Sequence, residues 1–138
     1  MFFKNQKNND ENKDLVKIAA LLIHTAKIDQ DYTSKEEDLI KNLLLKIGAN
    51  KDEIDQIITD AKKIEGDSNQ ILDFTRQVKN MEEADKIQII ETLWRIIYSD
   101  KDADIYETNL MRRLAGLLYI DNKVMGDIKD KIKKESSQ

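Results

Sequence analysis

The chain has 138 residues, 40% hydrophobic and 36% charged, with a formal net charge of −4. That length can bury one real core, and the charge is too balanced to steer the whole molecule onto nucleic acid. Cysteine and proline are both absent, which excludes disulfides and thiolate metal sites and leaves long uninterrupted helices open almost everywhere.

Residues 1–12, most of them in the polar run KNQKNNDENK, are expected to form a flexible tail. Phe2 and Phe3 are odd there; they either fold back on a groove or dock on a partner or a membrane surface. No apolar run reaches bilayer-spanning length, and the start lacks the hydrophobic stretch of a signal peptide. A soluble, cytoplasmic protein is the expectation.

The first helix is predicted from about Lys13 to Ile28, where Leu15, Ile18, Ala19, Leu22, Ile23 and Ala26 make one apolar stripe. The loop Asp29-Gln30-Asp31-Tyr32 follows. Thr33-Ser34-Lys35-Glu36 reads as a capping box that opens a second helix on Leu39, Ile40, Leu43, Leu44 and Ile47. Gly48 is a natural stop. Asn50-Lys51-Asp52-Glu53 reads as another capping box, opening a third helix on Ile54, Ile57, Ile58 and Ala61. After a break at Gly66-Asp67-Ser68, a linking helix carries Phe74, Val78 and Met81.

The fifth helix, roughly Glu82 to Ser99, is apolar around most of its circumference and is expected to be the most buried. The sixth spans about Ile105 to Leu118. Asp121 or Asn122 caps a seventh with Val124, Met125, Ile128 and Ile132. No segment shows the two-residue alternation of a strand. The fold class is therefore all-α, a single domain of about seven helices.

Shifted by 71 positions, residues 18–64 land on 89–135 without a gap. Ile18 falls on Ile89, Leu22 on Leu93, Leu43 on Leu114, Ile57 on Ile128, and Lys62-Lys63 on Lys133-Lys134. The domain over 13–138 is expected to hold two three-helix copies, 13–65 and 82–135, joined by the linking helix over 67–81. Neither copy is long enough to stand alone. They are expected to pack about a pseudo-twofold axis around one shared core, which can bring the two loops to one side.

The acidic positions repeat too: Asp29 falls on Asp100, Asp31 on Asp102 and Glu36 on Glu107. Two readings stand. Glu36 and Glu107 lie three residues after Thr33 and Asp104, the spacing of an N-cap and its reciprocal glutamate. The loops are then helix starts and nothing more. The aspartates argue differently, because Asp29 and Asp100 follow the partially negative end of a helix, an unfavourable place for an anion. Asp31 and Asp102 add like charge. A hard divalent cation such as calcium, magnesium or manganese offsets this, taking carboxylate, carbonyl and water oxygens. The spacing is not that of an EF-hand, whose bidentate glutamate would fall at Ile40 and Met111. Zinc is disfavoured, since the only histidine, His24, is remote from both loops.

Two helix–loop–helix segments of this kind resemble the TerB-like family, the tellurite resistance protein B group. The segments are Ala26-Lys27-Ile28-Asp29-Gln30-Asp31-Tyr32-Thr33-Ser34-Lys35-Glu36 and Tyr98-Ser99-Asp100-Lys101-Asp102-Ala103-Asp104-Ile105-Tyr106-Glu107. The likeness covers roughly residues 13–134. Gln30 and Lys101 stand where the family pattern has glycine, and Tyr32 and Ala103 where it has a branched apolar residue. The resemblance implies a seven-helix fold and a divalent cation, calcium first, at Asp29, Asp31, Glu36, Asp100, Asp102 and Glu107. It also implies a role in tellurite or wider chemical stress, often near membrane-linked machinery, with no catalysis.

Three functions follow in order. The first is a non-catalytic module that binds a divalent cation or a cationic partner through the acidic loops. The second is a metal-free protein-interaction adaptor using a groove between the copies or the Phe2-Phe3 end. The third is a metal-dependent hydrolase, ranked last because no general base stands out beyond the same carboxylates. His24 and its counterpart Arg95 are expected to edge the core with polar tips in solvent, and Trp94 to be core. Arg112-Arg113 and the lysines Lys129, Lys131, Lys133 and Lys134 are read as a solvated face, since interleaved exposed aromatics are missing.

Overall fold

A computed structural model describes residues 2–27, 33–67, 72–98 and 105–136, with side chains over 13–27, 33–67, 74–76, 78–98 and 109–135. Those residues form seven helices: α1 (Phe2–Ala26), α2 (Ser34–Lys46), α3 (Ile54–Asp67), α4 (Leu72–Lys79), α5 (Glu83–Tyr98), α6 (Ile105–Leu117) and α7 (Asn122–Ser136). Among the described residues there is no strand. The all-α expectation holds.

The start of α1 differs from expectation. Its backbone is helical from Phe2, not from Lys13. Nothing between them breaks a helix, neither glycine nor proline, so the apolar stripe beginning at Leu15 is propagated backward one hydrogen bond at a time. Polarity said that these residues do not pack, and was silent on whether they coil.

Helix ends follow local chemistry. The Thr33 hydroxyl accepts the Glu36 N–H at 3.2 Å, and the Glu36 carboxylate accepts the Thr33 N–H at 2.9 Å, a complete capping box. Asp121 caps α7, its side chain accepting from the Lys123 N–H at 2.9 Å. The Asn50-Lys51-Asp52-Glu53 stretch instead forms a turn, and α3 begins one step later, with the Glu53 carbonyl accepting from the Ile57 N–H.

α2 and α6 end alike. Ala49 N–H returns to Leu44 O at 2.8 Å and Gly48 N–H to Leu45 O at 3.4 Å. The equivalent pairs in the second copy are Ile120 to Ala115 at 2.9 Å and Tyr119 to Gly116 at 3.4 Å. Both are Schellman caps. The left-handed residue is Gly48 in one (φ +119°) and Tyr119 in the other (φ +58°).

α1 and α5 fill the centre. Six consecutive residues of α1, Ile18 to Ile23, are at most 2% exposed, so the first helix shares the interior with the fifth. On α5, Ile89, Ile90, Leu93 and Trp94 are equally enclosed, each burial contributing roughly 1.5–3 kcal/mol. α1 packs on α3 and α5 on α7, one pairing repeated across the 71-residue shift. α2 meets α3 as α6 meets α7, but other contacts differ: α2 lies against α5, whereas α6 meets α4, which lies on α1. Among the described residues no helix is long and apolar enough to cross a membrane.

Candidate functional site

The acidic loops are reached from helix ends. The first leaves α1 after Lys27 and enters α2 at Thr33; the second leaves α5 after Tyr98 and enters α6 at Ile105. Each joins a carbonyl-rich C-terminus to an N–H-rich N-terminus. Asp29, Asp31, Asp100 and Asp102 lie outside the described residues, as does the side chain of Glu107 on α6.

Glu36 is the one candidate ligand whose side chain is described. It is 2% exposed. One carboxylate oxygen, Oε1, accepts both the Thr33 N–H at 2.9 Å and the Thr33 hydroxyl at 3.0 Å. The carboxylate therefore ties the exit of the first loop to the first turn of α2, the role that the cap spacing pointed to. Among the described residues no cluster of three or more histidine or acidic side chains is placed to hold a metal ion.

Three ion-pair groups stitch neighbouring helices. On α1, His24 Nδ1 lies 3.3 Å from Glu65 Oε1, and Lys27 Nζ, just past the helix end, lies 2.7 Å from Glu65 Oε2. His24 thus meets a carboxylate at its polar tip, where solvent was expected. Sequence reasoning missed Glu65: it sits 41 positions away at the end of α3, and only the packing of α3 on α1 brings it there. The neighbouring Thr25 hydroxyl donates to the Leu21 carbonyl at 3.1 Å, so it is spent on its own helix. The His24–Glu65–Lys27 group reads as an interhelical clamp.

On α5, Arg95 grips Glu135 of α7 with Nε and Nη2 at 3.1 and 3.2 Å. It also reaches Glu91 at 3.4 Å, and Lys131 lies 3.5 Å from the same Glu91. The Arg95 hydrogen bond holds the Glu135 carboxyl below its ordinary value, despite slight burial that acts the other way. The third group joins α2 to α3. Lys41 Nζ lies 3.2 Å from Asp55 and 3.8 Å from Glu37, and Lys62 lies 2.7 Å from Glu37. The hydrogen bond to Asp55 raises the Lys41 pKa.

A cleft of about 400 Å³ opens between α2 of the first copy and α5 of the second, lined by Leu43, Lys46, Gln88, Glu91, Thr92 and Arg95. Gln88 Oε1 is buried there with no hydrogen-bond partner among the described residues. The cleft lies between one helix of each sequence repeat. Lys46 and Arg95 put cationic side chains on its lining, and Glu91 a carboxylate.

No match was found among curated proteins or solved structures. The family model described as tellurite resistance protein TerB matches residues 15–130. The match covers well over half of the chain and takes in both acidic loops, their anchoring helices and the linking helix, so this chain belongs to the TerB family.

Proposed function

We propose that this chain is a non-catalytic TerB-family module that binds a divalent cation through its two acidic loops. In this reading the two copies are related by a pseudo-twofold axis that sets the loops on one flank. Asp29, Asp31, Asp100 and Asp102 supply oxygens, and Glu36 and Glu107 divide their role between capping and ligation. Calcium is the first choice of ion, with magnesium and manganese next. The setting is cytoplasmic, in response to tellurite or wider chemical stress.

The repetition of the carboxylates carries this reading. A helix start needs a cap and its glutamate, and Thr33 with Glu36 meets that need in the first copy. It does not need Asp29 and Asp31 just beyond the negative end of α1, nor the same pair again beyond α5. A shared cation accounts for both pairs at once.

The test is thermal denaturation of chelator-treated protein against calcium, magnesium and manganese. An ion at 100 times its dissociation constant stabilises by ~2.7 kcal/mol, about 10 °C for a domain of this size. The gain disappears in Asp100→Asn/Asp102→Asn. No gain at millimolar ion, or one that survives the double substitution, removes the site. The second reading is a metal-free adaptor, favoured by the α2/α5 cleft that Gln88 helps to line. It predicts no cation response and retention of a partner protein that Gln88→Leu releases.

A further inference from the structure

The two copies differ in charge along the seam between α2 and α3 and its counterpart between α6 and α7. In the first, Lys41 on α2 is neutralised by Asp55 of α3 at 3.2 Å and by Glu37 at 3.8 Å, and Glu37 also takes Lys62. Shifted by 71, Lys41 becomes Arg112 and Lys62 becomes Lys133, so both cations are kept. Asp55 becomes Gly126 and Glu37 becomes Thr108, so both carboxylates are lost. Ile58 becomes Lys129, a further cation.

In the fold this exchange surrounds a pocket of about 240 Å³ between α5, α6 and α7, lined by Trp94, Arg112, Ala115, Met125, Gly126 and Lys129 among others. Among the described residues neither Arg112 nor Lys129 has a carboxylate within ion-pair reach; the Lys129 ammonium instead lies 5.6 Å from the Trp94 ring centre. Trp94 Nε1–H is spent on the Met125 sulfur at 3.4 Å. The pocket wall is thus apolar and its mouth cationic, in a chain of net charge −4.

We propose that this pocket receives one apolar side chain of an acidic peptide segment in a partner protein, whose flanking carboxylates pair with Arg112 and Lys129 in place of the lost Glu37 and Asp55. The volume is below the ~300 Å³ at which pockets begin to hold drug-sized molecules, and it suits a single side chain. A nucleic acid is disfavoured because Trp94 is only 2% exposed and offers no face for base stacking. An Arg and an aromatic around a small pocket also match the usual anchors of protein–protein recognition.

The first copy supplies the test. A Cβ on Gly126 would meet no atom within 4 Å, so Gly126→Asp fits without strain and restores the internal counter-ion that Asp55 gives Lys41. Trp94 is the only tryptophan, so its fluorescence reports on this pocket alone. The probe is acetyl-Glu-Glu-Leu-Glu-Glu-amide, titrated at low salt in EDTA so that the acidic loops play no part. The expected result is a saturable change in Trp94 emission. It is weakened at least tenfold in Gly126→Asp, which melts no lower than the parent, and in Arg112→Gln/Lys129→Gln. The proposal is overturned by no saturable change, by equal binding of the all-Gln peptide, or by undiminished binding to Gly126→Asp. It is also overturned if inorganic phosphate alone reproduces the signal at the same concentration, which would mark a small-anion site.

Discussion

Glu36 can be divided experimentally into its two roles. Its Oε1 holds the Thr33 N–H and hydroxyl at 2.9 and 3.0 Å, and the residue is 2% exposed. Glu36→Ala removes both bonds and leaves a backbone donor unpaired at a helix start. At about 1 kcal/mol for a neutral bond and more for one to a carboxylate, the loss comes to about 2–3 kcal/mol. Glu36→Gln keeps an Oε1 acceptor, and glutamine serves at this position of a capping box. Its cost is the charge at the α2 N-terminus, about 0.3–1 kcal/mol. In EDTA, circular dichroism melts should therefore place Glu36→Ala about 8–12 °C below the parent, at roughly 4 °C per kcal/mol for this length, and Glu36→Gln within about 4 °C of it. With calcium added, Glu36→Gln should recover less of the ~2.7 kcal/mol gain than the parent does. If Gln costs as much as Ala in EDTA, the hydrogen-bond account of this residue is wrong. If Gln gains the full calcium increment, Glu36 is a cap and not a ligand.

Two further outcomes follow from the helix ends and the seams. Gly48 has φ +119° and ends α2, with open space where a Cβ would go. Gly48→Ala should thus cost about 1–2 kcal/mol from backbone strain alone, read as a lower urea midpoint at unchanged slope. Glu135 has its pKa lowered chiefly by the Arg95 hydrogen bond. A depressed carboxylate contributes stability that is present above its unfolded value, near 4.5, and lost as pH falls through the folded value. The pair is partly exposed, so Glu135→Gln should cost no more than about 1 kcal/mol at pH 7, and the difference from the parent should vanish in acid below that range.

Much of this chain could be read without coordinates. The 3.6-residue spacing of Leu15, Ile18, Leu22 and Ala26 fixes a helix and its buried face, because a helix repeats its side-chain direction on that period. Thr33 with Glu36, and Asp121, mark helix starts through hydrogen bonds that span two or three residues. Tyr119 shows where such reading stops. It closes α6 in the left-handed conformation that Gly48 adopts for α2, yet no local preference of tyrosine marks it as a stop; only its alignment with Gly48 does.

By itself, then, the sequence determined the helix count, the class and the family likeness, since all of these rest on short-range periodicity and on identity along the chain. The tertiary structure decided what depends on distant segments meeting. It brought Glu65 to His24, opened the α2/α5 cleft onto Gln88, and laid α4 against α1 and α6 where simple duplication would repeat the α2–α5 contact. It also gathered Arg112 and Lys129 around Trp94. An ion pair or a pocket depends on how two helices cross, and that crossing is set by the whole core rather than by the spacing of residues along either helix.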